Sequence, residues 1–322
     1  MMQRLSRIFL SLLPFAIIGG LLYAALFVKP QVAGASVTPP VMTRGDLQYG
    51  VALPQGGVIW AAGSDGKVWL SEDAGRTWGL QPTPTKETLQ DIAAWDRQHA
   101  VAVGNQGVVI MTSDGGKSWQ SVDAPRSKVA NKLMRVAVVE GGTAWAVGEV
   151  GAVLQSKDYG ATWVRSRPEK DAAWNGVFVG RQKLWLAGEF GRLAVSDDGG
   201  ARWADVATPV KTSLMAITFK DDANGVAVGL EGVVLVTRDG GANWLAQSIV
   251  TREHLFDVTW DGSSWVAVGD KGVLVSGDAM GKSWQASRVA PGDRAWHTKI
   301  LADADRYIVG GATLLIVARN AR

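Results

Sequence analysis

The chain of 322 residues has 47% apolar side chains, 39 glycines, 15 tryptophans and no cysteine. This composition is typical of short, tightly turned strands, and it excludes disulfides, thiol catalysis and thiolate metal sites. The net charge of +3 comes from Arg4, Arg7 and Lys29, because the rest of the chain has 30 basic and 30 acidic side chains. A neutral body offers no broad basic stripe for phosphates, so nucleic acid is not an expected partner.

The first predicted element is a hydrophobic segment, residues 8–28. Its 21 consecutive positions are uncharged and mostly apolar, about the ~20 residues that a helix needs to cross a bilayer. The basic region before it, residues 1–7, is expected to stay in the cytoplasm because positive charge is retained on that side. The sequence therefore predicts a single-pass inner-membrane anchor that places the body in the periplasm.

A cleaved signal peptide is the alternative for this segment. The small residues Ala33, Gly34 and Ala35 match the pattern that precedes a cleavage site. The apolar run is longer than the ~7–15 residues usual in a signal peptide, and this length favours the anchor. With cleavage near Ala35 the body would be soluble in the periplasm, so both interpretations predict export.

Six copies of the pattern Ser/Thr-x-Asp-x-Gly-x-x-Trp follow, the last stretched by one residue. Their tryptophans are 41, 44, 40, 41 and 40 residues apart, which is the period of a four-stranded propeller blade. The pattern resembles the Asp-box, or BNR repeat. We expect each Asp to accept backbone amides, Ser or Thr to tie the opposite strand, and Trp to fill the space between sheets. The six structural aspartates are Asp73, Asp114, Asp158, Asp198, Asp239 and Asp278.

A Gly-x-x-Gly hairpin precedes each box, and a seventh, altered copy begins at Val309. The sequence therefore predicts an all-β, seven-bladed β-propeller of four-stranded antiparallel blades over residues 31–322, preceded by one transmembrane or signal helix. Only three strands are predicted in the last blade. We expect residues 31–38 to supply its fourth strand and close the ring, because an open strand edge invites aggregation.

The seven blades, the period, the hairpins and the Trp-ending boxes resemble the photosystem II stability and assembly factor propellers. The resemblance covers nearly everything from Gln31 onward. It implies a non-enzymatic assembly factor that holds membrane-protein intermediates through a surface patch of arginines. Related propellers of non-photosynthetic bacteria are associated with envelope transporters of the resistance-nodulation-division type. The implied partner is therefore a membrane protein or an envelope transport complex.

An Asp-box glycosidase or carbohydrate-binding propeller is the alternative function. Paired carboxylates would have to come from neighbouring hairpins, which carry Glu149, Glu189, Glu231 and Asp270. Polar residues are usual at such turns, and an Arg-Ile-Pro type sialidase motif is absent, so the sequence favours a protein that is not an enzyme. No cofactor and no small-molecule ligand are expected.

The three histidines lie in different repeats without the spacing of a metal-ligand pair, so no metal site is expected. His297 is predicted to face the central channel near Asp257 and Arg135.

The links between blades carry the predicted binding surface. In a propeller these links share one face with the hairpins between second and third strands, so that acids are expected near the middle of the face and bases outside. Solvated charged loops are the alternative. The candidate partner-binding residues are Arg126, Lys128, Lys132, Arg135, Arg165, Arg167, Lys170, Glu149 and Glu189.

Overall fold

A computed structural model describes residues 14, 17–23, 41–54 and 56–319. Residues 17–23 are helical. Within the described residues, no helix has the length and apolar character of a membrane span. Much of the predicted anchor, and all of the proposed closing strand 31–38, lies outside the described residues, so both stay predictions.

The body forms seven antiparallel sheets, as the repeat period predicts. The first three blades contain β1 Gly50–Ala52, β2 Ile59–Ala62, β3 Val68–Ser71, β4 Gly79–Gln81, β5 Leu89–Ala94, β6 Ala100–Gly104, β7 Val109–Thr112, β8 Gln120–Ser121, β9 Leu133–Val139, β10 Thr143–Gly148, β11 Val153–Ser156 and β12 Val164–Arg165. The next two contain β13 Trp174–Val179, β14 Leu184–Gly188, β15 Leu193–Ser196, β16 Ala204–Val206, β17 Leu214–Phe219, β18 Gly225–Gly229, β19 Val234–Thr237 and β20 Leu245–Ala246. The last two contain β21 Leu255–Trp260, β22 Trp265–Gly269, β23 Val273–Gly277, β24 Trp284–Arg288, β25 His297–Asp303, β26 Arg306–Gly311 and β27 Leu315–Ala318.

The hairpin between second and third strands requires its first glycine for a steric reason. Gly63 and Gly104 have extended backbones, so no special dihedral angle is needed. A Cβ at either position would overlap the carbonyl oxygen of the link that leads into the same blade, from Leu47 or Thr88 respectively. The glycine thus lets the start of the inner strand lie directly on the hairpin.

The Asp-box turn is held by a local network, illustrated by Asp114. Its Oδ1 accepts hydrogen bonds from Ser118 N at 3.0 Å and Thr112 Oγ1 at 2.8 Å, and its Oδ2 accepts one from Ser118 Oγ at 2.6 Å. The predicted role of Asp is confirmed. The role predicted for Thr112 was wrong, because its hydroxyl accepts Gly116 N at 2.9 Å within the same turn and ties no opposite strand.

These hydrogen bonds lower the pKa of four Asp-box carboxyls to about 2. For Asp114 and Asp239 the largest cause is the hydrogen bond from the side chain four residues later, Ser118 or Asn243. A carboxyl with a depressed pKa stabilises the folded state above its unfolded value of 3.8 and loses that contribution as pH falls through its folded value.

We therefore expect the free energy of unfolding to fall between about pH 4 and about pH 2, the window set by these pKa values. Urea titrations at several pH values would measure it. The double variant Asp114→Asn, Asp239→Asn should show a shallower decline over that window. An unchanged slope would mean that other carboxyls determine acid unfolding.

Tryptophans join neighbouring blades. The second strand of blade 3 carries Trp145, which meets the Asp-box Trp203 of blade 4 edge-on, with ring centroids 6.1 Å apart. Gly200 of the same box lies directly on the Trp145 ring, so that a Cβ there would overlap it. Equivalent pairs, Trp60 with Trp119 and Trp185 with Trp244, join blades 1 to 2 and 4 to 5.

Blade 7 has three strands among the described residues, and it packs directly on blade 1. Gln48 and Gly311 form a β-bridge. Arg306 Nη1 donates to Ala74 O at 2.7 Å, and Thr298 Oγ1 donates to Tyr49 O at 2.9 Å. Contacts within the described residues therefore join the first and last blades of the ring.

Candidate functional site

The two faces of the ring differ in what they carry. The second-to-third-strand hairpins and the Asp-boxes lie at opposite ends of each third strand, as antiparallel pairing requires. We call the first the hairpin face and the second the Asp-box face. The links between blades are on the hairpin face, where the main-chain N–H of Glu149 donates to Lys132 O of the link at 2.9 Å.

A cavity of about 430 Å³ opens at the channel mouth on the hairpin face. The inner strands of blades 2 to 7 each shift register by a β-bulge near their start. Such a bulge re-aims one side chain. All six bulge residues line the cavity, together with Tyr49 of blade 1, and they are Gln90, Met134, Asn175, Met215, Phe256 and Thr298.

A layer of charges lies one residue further along the inner strands. The paired positions in the seven blades are Gly50, Asp91, Arg135, Gly176, Ala216, Asp257 and Lys299. Lys299 Nζ lies 3.3 Å from Asp91 Oδ2, and Arg135 Nη2 lies 3.9 Å from Asp257 Oδ1. The two long bases thus reach acids on non-adjacent blades, whereas a Cβ at Gly50 or Gly176 would overlap or crowd the backbone of the next blade.

Each acid in this layer also binds the next blade. Asp91 Oδ2 accepts Val136 N at 3.1 Å, and Asp257 Oδ2 accepts Ile300 N at 2.9 Å. Arg135 further donates to the carbonyl oxygens of Phe256 and Thr298 at 2.9 and 2.7 Å. Arg135, a candidate partner-binding residue that was also expected at the channel near Asp257, therefore cross-links the channel and forms part of the cavity wall.

Glu149 and Glu189 hold the links in place. Their Oε2 atoms accept Lys132 N at 2.8 Å and Ala173 N at 2.7 Å. In blade 1 the hydroxyl of Ser64 accepts Leu47 N in the same way, at 3.1 Å. Because a serine accepts the equivalent link amide in blade 1, these contacts are structural, and they give no evidence that Glu149 and Glu189 form a catalytic pair.

The seven predicted basic residues divide by exposure. Arg126, Lys128 and Lys170 are exposed, and Lys132 is half-buried where it lines the cavity. Arg165 and Arg167 have side chains only 19% and 18% exposed. The two links that carry the exposed bases touch each other, because Ser127 Oγ donates to Glu169 Oε2 at 3.2 Å.

Arg167 belongs to a cluster on blade 4. Its guanidinium and that of Arg192 lie over the Trp174 ring, 5.3 and 4.7 Å from the centroid. Both lie near one carboxylate, Asp205, at 3.7 and 3.8 Å. Burial lowers the pKa of Arg167. Arg167 Nη1 and Arg192 Nη2 are buried and make no hydrogen bond among the described residues, although Arg192 Nη2 is the atom that lies 3.8 Å from Asp205 Oδ1.

Apolar side chains are exposed in the same sector. Val129, between the bases of its link, is 84% exposed, and Phe190 of the blade 4 hairpin is 66% exposed. Phe190 has a φ of 58°, in the left-handed region that costs an L side chain energy. The equivalent position carries Val in blade 3 and polar residues in the other blades with this hairpin, namely Asp65, Gln106, Glu231 and Lys271.

The prediction that His297 faces the channel was wrong. Its side chain is fully buried, and its Nε2 lies 2.6 Å from Asp293 Oδ2. His99 pairs with Asp96, and His254 Nδ1 accepts Glu231 N at 3.0 Å. Within the described residues, no three His, Asp or Glu side chains form a group that could hold a metal ion.

A family model, photosynthesis system II assembly factor YCF48, matches residues 78–173 and 200–296, more than half of the chain. The chain belongs to the YCF48 family. The resemblance deduced from the repeats is thereby confirmed, and with it the placement of the chain among assembly-factor propellers. No curated protein matches the sequence.

Solved structures agree with the propeller of this YCF48-family chain. YCF48 bound to a D1 peptide has a TM-score of 0.72 at 17% identity, covering 86% of this chain and 94% of that one. YCF48 from Cyanidioschyzon merolae has a TM-score of 0.70 at 17% identity, covering 86% and 96%. A computationally designed protein, Ika8, reaches 0.63 at 10% identity, covering 85% and 96%. Likeness at these identities shows the fold alone.

Sequence reasoning missed two parts of this YCF48-family site. The first is the ring of bulge residues, whose signal in the sequence is the position directly after the buried first residue of the inner strand in blades 2 to 7. The second is Arg192, which directly follows the blade 4 hairpin where most blades have an apolar residue. Neither carries a recognisable motif, because their positions depend on register and on packing between blades.

Proposed function

We propose that this protein is a non-enzymatic scaffold that binds an extended segment of a membrane-protein partner on the hairpin face, at blades 3 and 4. The observation that carries the proposal is the concentration of bases in two touching links. Residues 126–132 and 165–171 contain six basic and two acidic side chains. Exposed apolar residues and the two guanidinium groups of Arg167 and Arg192 lie in the same sector.

Charge complementarity then defines the partner. An acidic segment would be steered to the links and oriented there, since complementary charge mainly raises association rate and specificity. The structure of a YCF48 protein contains a bound D1 peptide. We extend peptide binding of that kind to this chain, with a different partner sequence.

The hydrophobic segment near the N-terminus is part of the proposal. We infer that residues 8–28 anchor the chain in the inner membrane and that the propeller works in the periplasm. Support comes from the 21 uncharged positions and the basic region before them. The first partner to test is an envelope transporter of the resistance-nodulation-division type, because the sequence resemblance associates related bacterial propellers with such complexes.

Charge reversal tests the binding surface. In the full-length triple variant Arg126→Glu, Lys128→Glu, Lys170→Glu, we expect partner capture from detergent-solubilised membranes to fall at least tenfold at low ionic strength. Capture by the wild type should itself weaken as salt is added, because exposed charges are screened. Quantitative pull-down over a salt series would measure both effects.

A matched control reverses three exposed lysines of the Asp-box turns, Lys117, Lys157 and Lys282. This variant has the same change in net charge on the opposite face, and it should capture partner as the wild type does. If both triple variants lost partner capture equally, the loss would be explained by net charge and not by the position of the bases. Undiminished capture by the first variant would contradict the proposed surface.

A further inference from the structure

The channel-mouth cavity has a chemistry of its own, distinct from that of the basic links. Four of its seven ring positions carry large apolar or aromatic side chains, Tyr49, Met134, Met215 and Phe256. Trp296 extends this wall by stacking on Tyr49, with ring centroids 5.3 Å apart and planes at 24°. Methionines adapt their shape to an incoming group, and they are frequent at surfaces that accept varied apolar residues.

The cavity is closed below by the charged layer and is wide enough for a ligand group. Arg135 belongs to both the cavity wall and that layer. A volume of about 430 Å³ lies in the ~300–1,000 Å³ range of ligand pockets. Burial raises the pKa of Tyr49, as an apolar surrounding would. A channel that served only to hold water would not need methionine or phenylalanine at three of its six bulges.

The three polar residues of the ring are held in fixed orientations. Gln90, Asn175 and Thr298 stand in the same ring as the apolar residues. Their donors are engaged within the protein: the amides of Gln90 and Asn175 donate to Asn105 Oδ1 at 3.1 Å and Leu214 O at 2.9 Å. These contacts fix the orientation of both side chains, so that the wall offers rigid polar groups beside the apolar ones.

Charged residues at the cavity indicate which partner residues would lie beside the inserted group. Lys132 lines the cavity and belongs to the same link as Arg126 and Lys128. Among the described residues, the lining contains one acid, Asp270, and two bases, Lys132 and Arg135. A segment that enters from this link therefore meets positive charge just outside an apolar cavity.

We propose that the cavity receives one large apolar side chain, aromatic or unbranched, from an extended partner segment whose neighbouring residues are acidic. This inference rests on the proposed function, since it assumes a partner segment on the hairpin face. The inference adds specificity to the proposed function. The links attract the partner segment by charge, and the ring of bulge residues fixes the register of the segment by binding its large apolar side chain.

Peptide display on the full-length protein in lipid nanodiscs tests the inference. Random peptides selected by the wild type should share one large apolar residue with acids beside it. Replacing that residue with Ala in a selected peptide should weaken binding about tenfold or more, the effect of burying one apolar side chain. In the cavity-filling variant Met215→Trp, wild-type peptides should bind more weakly by a similar factor, and the Ala replacement should no longer matter.

Met280→Trp provides the matched control, because Met280 is exposed in an Asp-box turn; it should bind as the wild type does. Phe256→Ala, which removes wall instead of filling space, gives a second variant, and thermal unfolding checks that each variant is folded. Selected peptides that are acidic without a shared apolar residue, and that depend on Arg126, Lys128 and Lys170, would overturn this inference and leave the proposed function standing. Selection of no peptide would overturn both.

Discussion

Substituting Gly200 with Ala should destabilise the propeller by about 3 kcal/mol. The residue has a φ of +86°, where a Cβ costs roughly 1–2 kcal/mol. The new Cβ would also overlap the ring of Trp145, a fully packed side chain that is 2% exposed. Overpacking of this kind typically costs about 1–3 kcal/mol. Urea unfolding of the full chain, followed by tryptophan fluorescence, would measure the loss.

The neighbouring Gly199 is a control that separates the two causes. It also has a positive φ, of +69°, but a Cβ there would meet no atom within 4 Å. Gly199→Ala should therefore cost only the backbone strain, about 1 kcal/mol. If both variants lost the same stability, contact between the Asp-box glycine and the adjacent blade would not contribute to holding the blades together.

The Asp-box could be predicted from sequence because it is local. The hydrogen-bond partners of Asp114 lie within four residues of it, so spacing alone brings the groups together. The error concerned Thr112, whose side chain was expected to tie the opposite strand. Its hydroxyl instead accepts Gly116 N, because the tight turn brings that amide, four residues later, back to the Thr112 side chain.

The candidate site could be predicted only in part. The links and their charges follow from the repeat, but the side-chain directions within them do not. Arg167 was predicted as a surface base, whereas its flat guanidinium stacks on Trp174, as arginine does on aromatic faces. Arg135 and Asp257 were both expected at the channel, but the contact between them across the ring joins residues more than a hundred positions apart, and no local pattern encodes its geometry.

The charged layer of the channel yields the other large expected effect. Asp91 is fully buried and shares its Oδ2 between Val136 N and Lys299 Nζ. In the variant Lys299→Met the carboxylate would keep the backbone contact but lose its counter-charge. Removing one partner of a buried ion pair costs about 3–5 kcal/mol, because the remaining charge is left uncompensated. We expect a loss of that size in the free energy of unfolding at neutral pH.

Two further variants test the cause. The double variant Lys299→Met, Asp91→Asn should regain most of the lost stability, because Asn carries no charge and its oxygen can still accept Val136 N. Arg97→Met removes a base from a pair with Glu72 whose side chains are 53% and 73% exposed, and it should change stability by less than about 0.5 kcal/mol. Equal effects of Lys299→Met and Arg97→Met would show that the layer contributes no more than a surface pair. If Lys299→Met instead lost much stability and the double variant regained it, the loss would be caused by the unpaired buried charge of Asp91. The charged layer would then be shown to stabilise the fold. The bulge ring above it would then remain the part of the channel available for binding.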